Sequence, residues 1–160
     1  TLSHSSAASD VYKRQHKDLL RAPFELGYTY KRSNGPVMSE FFNALAEHKI
    51  LGTQSSTGKV FAPAAEFDPD TNESLKNLKE VGPGGCIESF SWIADPQHHH
   101  LIKKPFAFAL IKLDQADTSI LHMISGCDEG DLEIGTRVTA AWSDTKEQRI
   151  TDIKFFELES

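Results

Sequence analysis

Between residues 86 and 158 the chain shows one pattern five times, a short apolar β-run, with Gly, Pro and Asp signals separating the runs. The runs are CIESFSWI at 86–93, FAFALIKL at 106–113, SILHMIS at 119–125, TRVTAAW at 136–142 and ITDIKFFEL at 150–158. No long helical pattern interrupts them. Five short strands in succession predict a small closed or nearly closed antiparallel barrel. The second and third runs form the clearest hairpin. Phe106, Phe108, Leu110 and Lys112 share one face of its first strand, and Ala107, Ala109, Ile111 and Leu113 share the other. A strand apolar on nearly both sides belongs at the centre of the barrel. Asp114 to Thr118, DQADT, supplies the polar chemistry of a tight connection, so Asp114 and Asp117 are read as turn residues rather than catalysts.

The N-terminal half has another character. FELGYTY at 24–30 reads as a strand and SNGP at 33–36 as a turn. Val37, Met38, Phe41, Phe42 and Leu45 then recur at helical spacing, and Gly52 is expected to close that helix. Residues 53–77 are rich in turn formers and hold a short strand around Lys59 to Ala62. The predicted class is therefore α+β and mainly β, with residues 16–77 as strand, helix and loop-rich segment and 78–160 as the barrel domain. SSAASDVYKRQ at 5–15 looks like the translation of a sequencing adapter. Residues 1–15 are accordingly expected to be disordered, carry no fold information, and leave the native sequence to start near His16.

Charge narrows the function. Removing Asp10, Lys13 and Arg14 of the adapter from 23 acidic and 17 basic residues leaves seven excess negative charges. That field opposes non-specific attachment to a phosphate backbone. No apolar run approaches the roughly 20 residues a bilayer requires, and two cysteines, Cys86 and Cys127, make no disulfide framework. A cytoplasmic protein with no membrane partner is expected. His98, His99 and His100 read as an exposed loop, because consecutive histidines diverge and no cysteine or carboxylate lies at ligand spacing. His122 with Asp114 or Asp117 could be drawn as an acid/base pair, but no activated nucleophile accompanies them. Asp128 beside Cys127 should raise that thiol's pKa. Phe90, Trp92, Phe106, Phe108, Trp142, Phe155 and Phe156 are expected in the core rather than on a base-stacking platform.

GCIESF at 85–90, PFAFALIKLDQADTSILH at 105–122, EIGTRVTAAW at 133–142 and ITDIKFFEL at 150–158 together resemble the acyl-CoA-associated OB-fold family with an N-terminal rubredoxin-like zinc ribbon. FFNALAEHKILGTQ and TGKVFAPA precede them in the order that family uses. The resemblance implies a five-stranded OB barrel and a non-catalytic accessory subunit of a thiolase-like acyl-CoA enzyme, including the sterol-carrier-protein-linked thiolases, in lipid or steroid metabolism. The alternatives are a stand-alone OB module for single-stranded nucleic acid, and an acyl-CoA hydratase or lyase activity of the chain's own. No catalytic residue is assigned. Lys103, Lys104, Lys112 and Arg137 are the expected ligand-binding residues, able to meet the phosphates of a coenzyme A thioester. Phe41, Phe42 and Phe61 are the expected partner-facing residues.

The zinc ribbon is where the chain departs from the family. Four thiolates hold such a metal, yet the corresponding positions carry Gln54, Thr57, Asp68 and Thr71. No zinc is expected, and packing of Val60, Phe61 and Phe67 should hold the degenerate ribbon together.

Overall fold

A computed structural model describes residues 23–159. The adapter-like segment lies outside these residues. The chain divides into two compact units, 1–32 and 33–160. In the first, residues 23–32 have no regular secondary structure, and Phe24, Leu26, Tyr28 and Tyr30 are exposed. The strand expected over 24–30 does not form: its aromatic residues bury no face, and among the described residues no strand pairs with it.

The second unit opens with α1 (Gly35–Ala46). Pro36 presets its first turn, and Val37, Phe41, Ala44 and Leu45 form its buried stripe. It ends before Gly52, the stop expected for it. The Lys49 amide turns back to the Ala44 carbonyl at 3.0 Å as His48 adopts a left-handed φ of 62°. The chain then enters β1 (Ile50–Gln54), which pairs with β2 (Val60–Phe61) and β3 (Asn77–Val81) in an antiparallel sheet of order β2-β1-β3. Gly52 is thus a strand residue and not a helix stop. The Phe61 carbonyl approaches so closely that a Cβ at Gly52 would lie 2.7 Å from it.

Five strands build the barrel: β4 (Gly84–Ile93), β5 (Phe106–Leu113), β6 (Ser119–Ile124), β7 (Arg137–Trp142) and β8 (Ile153–Leu158). They close in the order β4-β5-β6-β8-β7. The barrel is mixed rather than wholly antiparallel, since β6 meets β8 in parallel at Ile124 and Phe156. Reaching β8 after β7 obliges the chain to run the same way as β6, a constraint of topology that no local pattern encodes. In β5 the odd-numbered residues face inward, so Ala107, Ala109, Ile111 and Leu113 are buried. Phe106 is buried too, while Phe108, Leu110 and Lys112 point outward.

One apolar cluster joins Phe41, Leu45, Ile50 and Val81 to Ile87, Ile111, Ile120 and Phe156 of the barrel. The ribbon-like sheet and the barrel consequently share a core. Hydrogen bonds reinforce the joint at the β5–β6 turn. The Val60 amide donates to Asp117 Oδ2 at 2.7 Å and the Asp117 amide to the Val60 carbonyl at 2.8 Å. Thr118 Oγ1 accepts from the Ala62 amide and donates to its carbonyl, at 2.8 and 2.9 Å.

Candidate functional site

The connections flanking β5, β6 and β8 are shaped by specific side chains. In the β4–β5 loop, Lys103 Nζ donates to the carbonyls of His98 and His100, both at 2.7 Å, and the Gln97 amide donates to His100 Nδ1 at 3.0 Å. These bonds fold the loop back on itself and set the His100 ring edge-on to Phe106 and Phe108. The histidine run is a loop, as expected, with His98 and His99 exposed and His100 half-buried. In the β7–β8 loop the buried Asp152 carboxylate accepts the amides of Glu147 and Gln148, each at 2.9 Å. That pair of bonds aims the short turn Ile150–Asp152 toward the barrel wall.

Between these loops lies a cleft of about 750 Å³, within the range of roughly 300–1,000 Å³ usual for small-molecule sites. Phe106, Phe108, Leu121, Met123 and Phe155 supply aromatic and aliphatic surface, and Ile150 and Ile153 line its β8 side. Phe108 and Leu121 are 36% and 64% exposed on the outer face of the hairpin. Phe108 therefore departs from the core position expected for it, whereas Phe106 and Phe156 occupy the core. Lys103, Lys104 and Lys154 stand among the lining residues, and no Asp or Glu does. Among the described ion pairs none involves these three lysines.

His122 also lines the cleft. It is 6% exposed, its ring lies 5.6 Å from that of Phe156, and its Nδ1 has no hydrogen-bond partner. Burial holds its pKa below the ordinary 6.5, against a smaller upward pull from the backbone at Ile150 and Met123. Burial thus favours the neutral form of the imidazole. It does not meet the carboxylates considered for it, because Asp117 is committed to Val60 and Asp114 to Arg137.

The four expected ligand-binding residues fall into two groups. Lys103 and Lys104 stand at the cleft. Lys112 and Arg137 lie in the cross-strand row Ser119, Lys112, Cys86, Arg137, roughly 20 Å away along β5 at the rise of an extended strand. Arg137 is doubly engaged there: its guanidinium holds Asp114 at 2.6 and 2.7 Å and Glu159 at 2.9 and 3.1 Å. These partners raise its pKa, and Arg137 in turn lowers that of Asp114. Of the expected partner-facing residues, Phe41 and Phe61 are only 1% and 5% exposed. Phe41 packs in the shared core and Phe61 is buried between Val60 and Ala62, so neither lies on the surface, and Phe42 alone is half-buried. Cys127 has a raised pKa, first through burial and then through Asp131 and Asp128, so it is a poor nucleophile at neutral pH.

The residues aligned with the zinc ligands do not fit that metal. Gln54 bridges the Gly58 carbonyl and Asn77, Thr57 shares a 2.7 Å hydrogen bond with Ser55, and Asp68 Oδ1 accepts the amides of Asp70 and Thr71. Among the described residues no group of three or more His, Cys, Asp or Glu is placed to hold a metal. Polar links span the segment instead, from Lys59 to Asp70 at 3.2 Å and from Ser56 to Glu73 at 3.0 Å. Val60 and Phe61 pack as expected. Phe67 does not, because it is exposed and only its backbone bridges to Ser74.

Comparison with known proteins places the barrel. Residues 78–143 match the family described as the ChsH2 C-terminal OB-fold domain. Two solved structures share the fold at 16% identity. One is a protein of unknown function from the DUF35 family of Sulfolobus solfataricus, with a TM-score of 0.60 over 99% of this chain and 100% of that one. The other is the Ltp2–ChsH2(DUF35) aldolase, with a TM-score of 0.59 over 80% of this chain and 98% of the matched chain. No curated protein matches. Residues 78–143, which hold β4 to β7 of the barrel, are thus similar to the ChsH2 C-terminal OB-fold domain, in agreement with the acyl-CoA-associated OB-fold family that the motifs resemble.

Proposed function

We propose that this chain is a non-catalytic accessory subunit that docks on a thiolase-like acyl-CoA enzyme of lipid or steroid metabolism in the cytoplasm. The observation that carries this reading is the ChsH2-family match of the barrel, joined to a fold shared with a chain of the Ltp2–ChsH2(DUF35) aldolase. The chemistry of the described residues agrees with it. His122 stands without a carboxylate partner, Asp114 and Asp117 serve structural contacts, and Cys127 is held protonated. The reacting groups then belong to the enzyme the chain supports. In this reading the subunit contacts the acyl-CoA thioester through Lys103 and Lys104, and needs no zinc.

Reconstitution tests the proposal. A thiolase-like acyl-CoA enzyme from the same source should turn over its substrate at least tenfold faster with this chain than without it, while the chain alone gives no turnover. Thioester turnover by the chain alone, or full activity of the enzyme without it, would overturn the reading.

A further inference from the structure

Four of the most exposed large apolar side chains among the described residues fall within seven consecutive positions. Phe24, Leu26, Tyr28 and Tyr30 are 84%, 75%, 77% and 74% exposed, while Glu25, Gly27 and Thr29 take the positions between them. Single exposed apolar residues are ordinary on a protein surface, whereas a run of them marks an interaction site. The spacing is that of a strand, in which residues two apart share a face. Tyr28 and Tyr30 show that sidedness directly, with ring centroids 6.2 Å apart. The segment nevertheless forms no strand, and among the described residues no backbone–backbone hydrogen bond engages Phe24 to Tyr30. It therefore presents a row of N–H and C=O groups together with one apolar face. A sheet edge lined by apolar pockets satisfies both at once.

A second copy of the chain is a poor source of that edge. The barrel closes on itself in the order β4-β5-β6-β8-β7 and so ends in no edge strand. In the three-stranded sheet, β2 is two residues long, and Asp117 already occupies both backbone groups of Val60. Thr118 occupies both of Ala62 beside it. The opposite edge strand, β3, carries Lys79 and Glu80 among its five residues, and charges on an edge discourage pairing. The complement is thus an edge strand of a different protein, with apolar pockets at two-residue intervals. Lys31 and Arg32 close the segment, so acidic side chains beside that edge would match it in charge.

We infer that Phe24 to Tyr30 is a docking strand, which adds to an open sheet edge of the acyl-CoA enzyme and seats Phe24, Leu26, Tyr28 and Tyr30 in apolar pockets there. The inference deepens the accessory-subunit reading and rests on it for the identity of the partner. Aromatic anchors supply the affinity, and backbone pairing sets the register. The segment also takes the place of Phe41 and Phe61, which the fold buries, as the partner-facing surface.

The test measures binding of the purified full chain to the thiolase-like enzyme of the reconstitution, by interferometry and by hydrogen exchange. Leu26→Glu combined with Tyr28→Glu should weaken binding at least tenfold, because both charges would enter apolar pockets. Ile134→Glu, at a residue 74% exposed in another part of the chain, should change affinity less than twofold. All three positions are exposed, and circular dichroism of each variant verifies folding. In the complex, amides at alternate positions of 24–30 should exchange at least tenfold more slowly than in the free chain, the signature of strand pairing. Retained affinity in the folded double variant, or unchanged exchange over 24–30 in the complex, overturns the inference and leaves the accessory reading standing. Failure of the enzyme to bind even the unaltered chain overturns the accessory reading and the inference with it. Self-association of the chain, or its attachment to phosphatidylcholine–phosphatidylserine vesicles, that the double substitution abolishes while enzyme binding persists would assign the segment to a second copy or a membrane, and equally overturns the inference.

Discussion

At the scale of single residues, the structure separates side chains that look alike in the sequence. Lys103 and Lys104 are legible as loop cations beside an apolar run, and the structure places both at the cleft. Arg137 is not legible in this way, since its partners Asp114 and Glu159 arrive from the β5–β6 turn and the far end of β8. Lys154 and Phe155 read simply as strand residues, and only the parallel approach of β8 to β6 brings them to the cleft. His122 makes a measurable contribution of its own. Its folded pKa lies below 6.5 because burial disfavours the imidazolium, so between 6.5 and the lowered value the unfolded chain binds a proton that the folded chain refuses. Stability should therefore fall as pH drops through this window and be free of the penalty above it. Denaturant titrations at pH 5 and 7.5 should show that drop, and His122→Gln should flatten it. An unchanged slope in the variant would assign the effect to other groups.

At the scale of elements, the strands of the barrel and the start of α1 follow from periodicity and turn chemistry. The boundary between α1 and β1 does not. Ile50 and Leu51 are apolar residues that precede the expected stop at Gly52, and only pairing of Ile50 with Val81, 31 positions on, makes them strand. The β5–β6 turn shows a related limit. Asp117 and Thr118 have turn chemistry in the sequence, yet their side chains reach the β2 backbone more than 50 residues away. Asp117→Ala strands the Val60 amide, and such a loss costs about 1–3 kcal/mol. Chemical denaturation should register a decrease of that size, and hydrogen exchange should show faster exchange at Val60 than at core amides of β5. Unaltered protection at Val60 would mean that this hydrogen bond does not secure the ribbon-like sheet.

For the molecule as a whole, the ribbon-like sheet shares a core with the barrel and is spanned by polar links, and the positions aligned with the family's zinc ligands carry no cysteine. The purified chain should accordingly contain no stoichiometric zinc, and a chelator should leave its thermal midpoint unchanged. A zinc content near one per chain, or a midpoint lowered by the chelator, would show that ligands other than Gln54, Thr57, Asp68 and Thr71 assemble. The accessory role stands or falls on what the molecule works with. The decisive measurement is recovery of the chain at its natural abundance from the native source, followed by mass determination of the intact assembly and identification of its components. A fixed-stoichiometry complex with a thiolase-like enzyme that carries the acyl-CoA activity is the expected result. A chain recovered alone, or bound to nucleic acid, would refute the role.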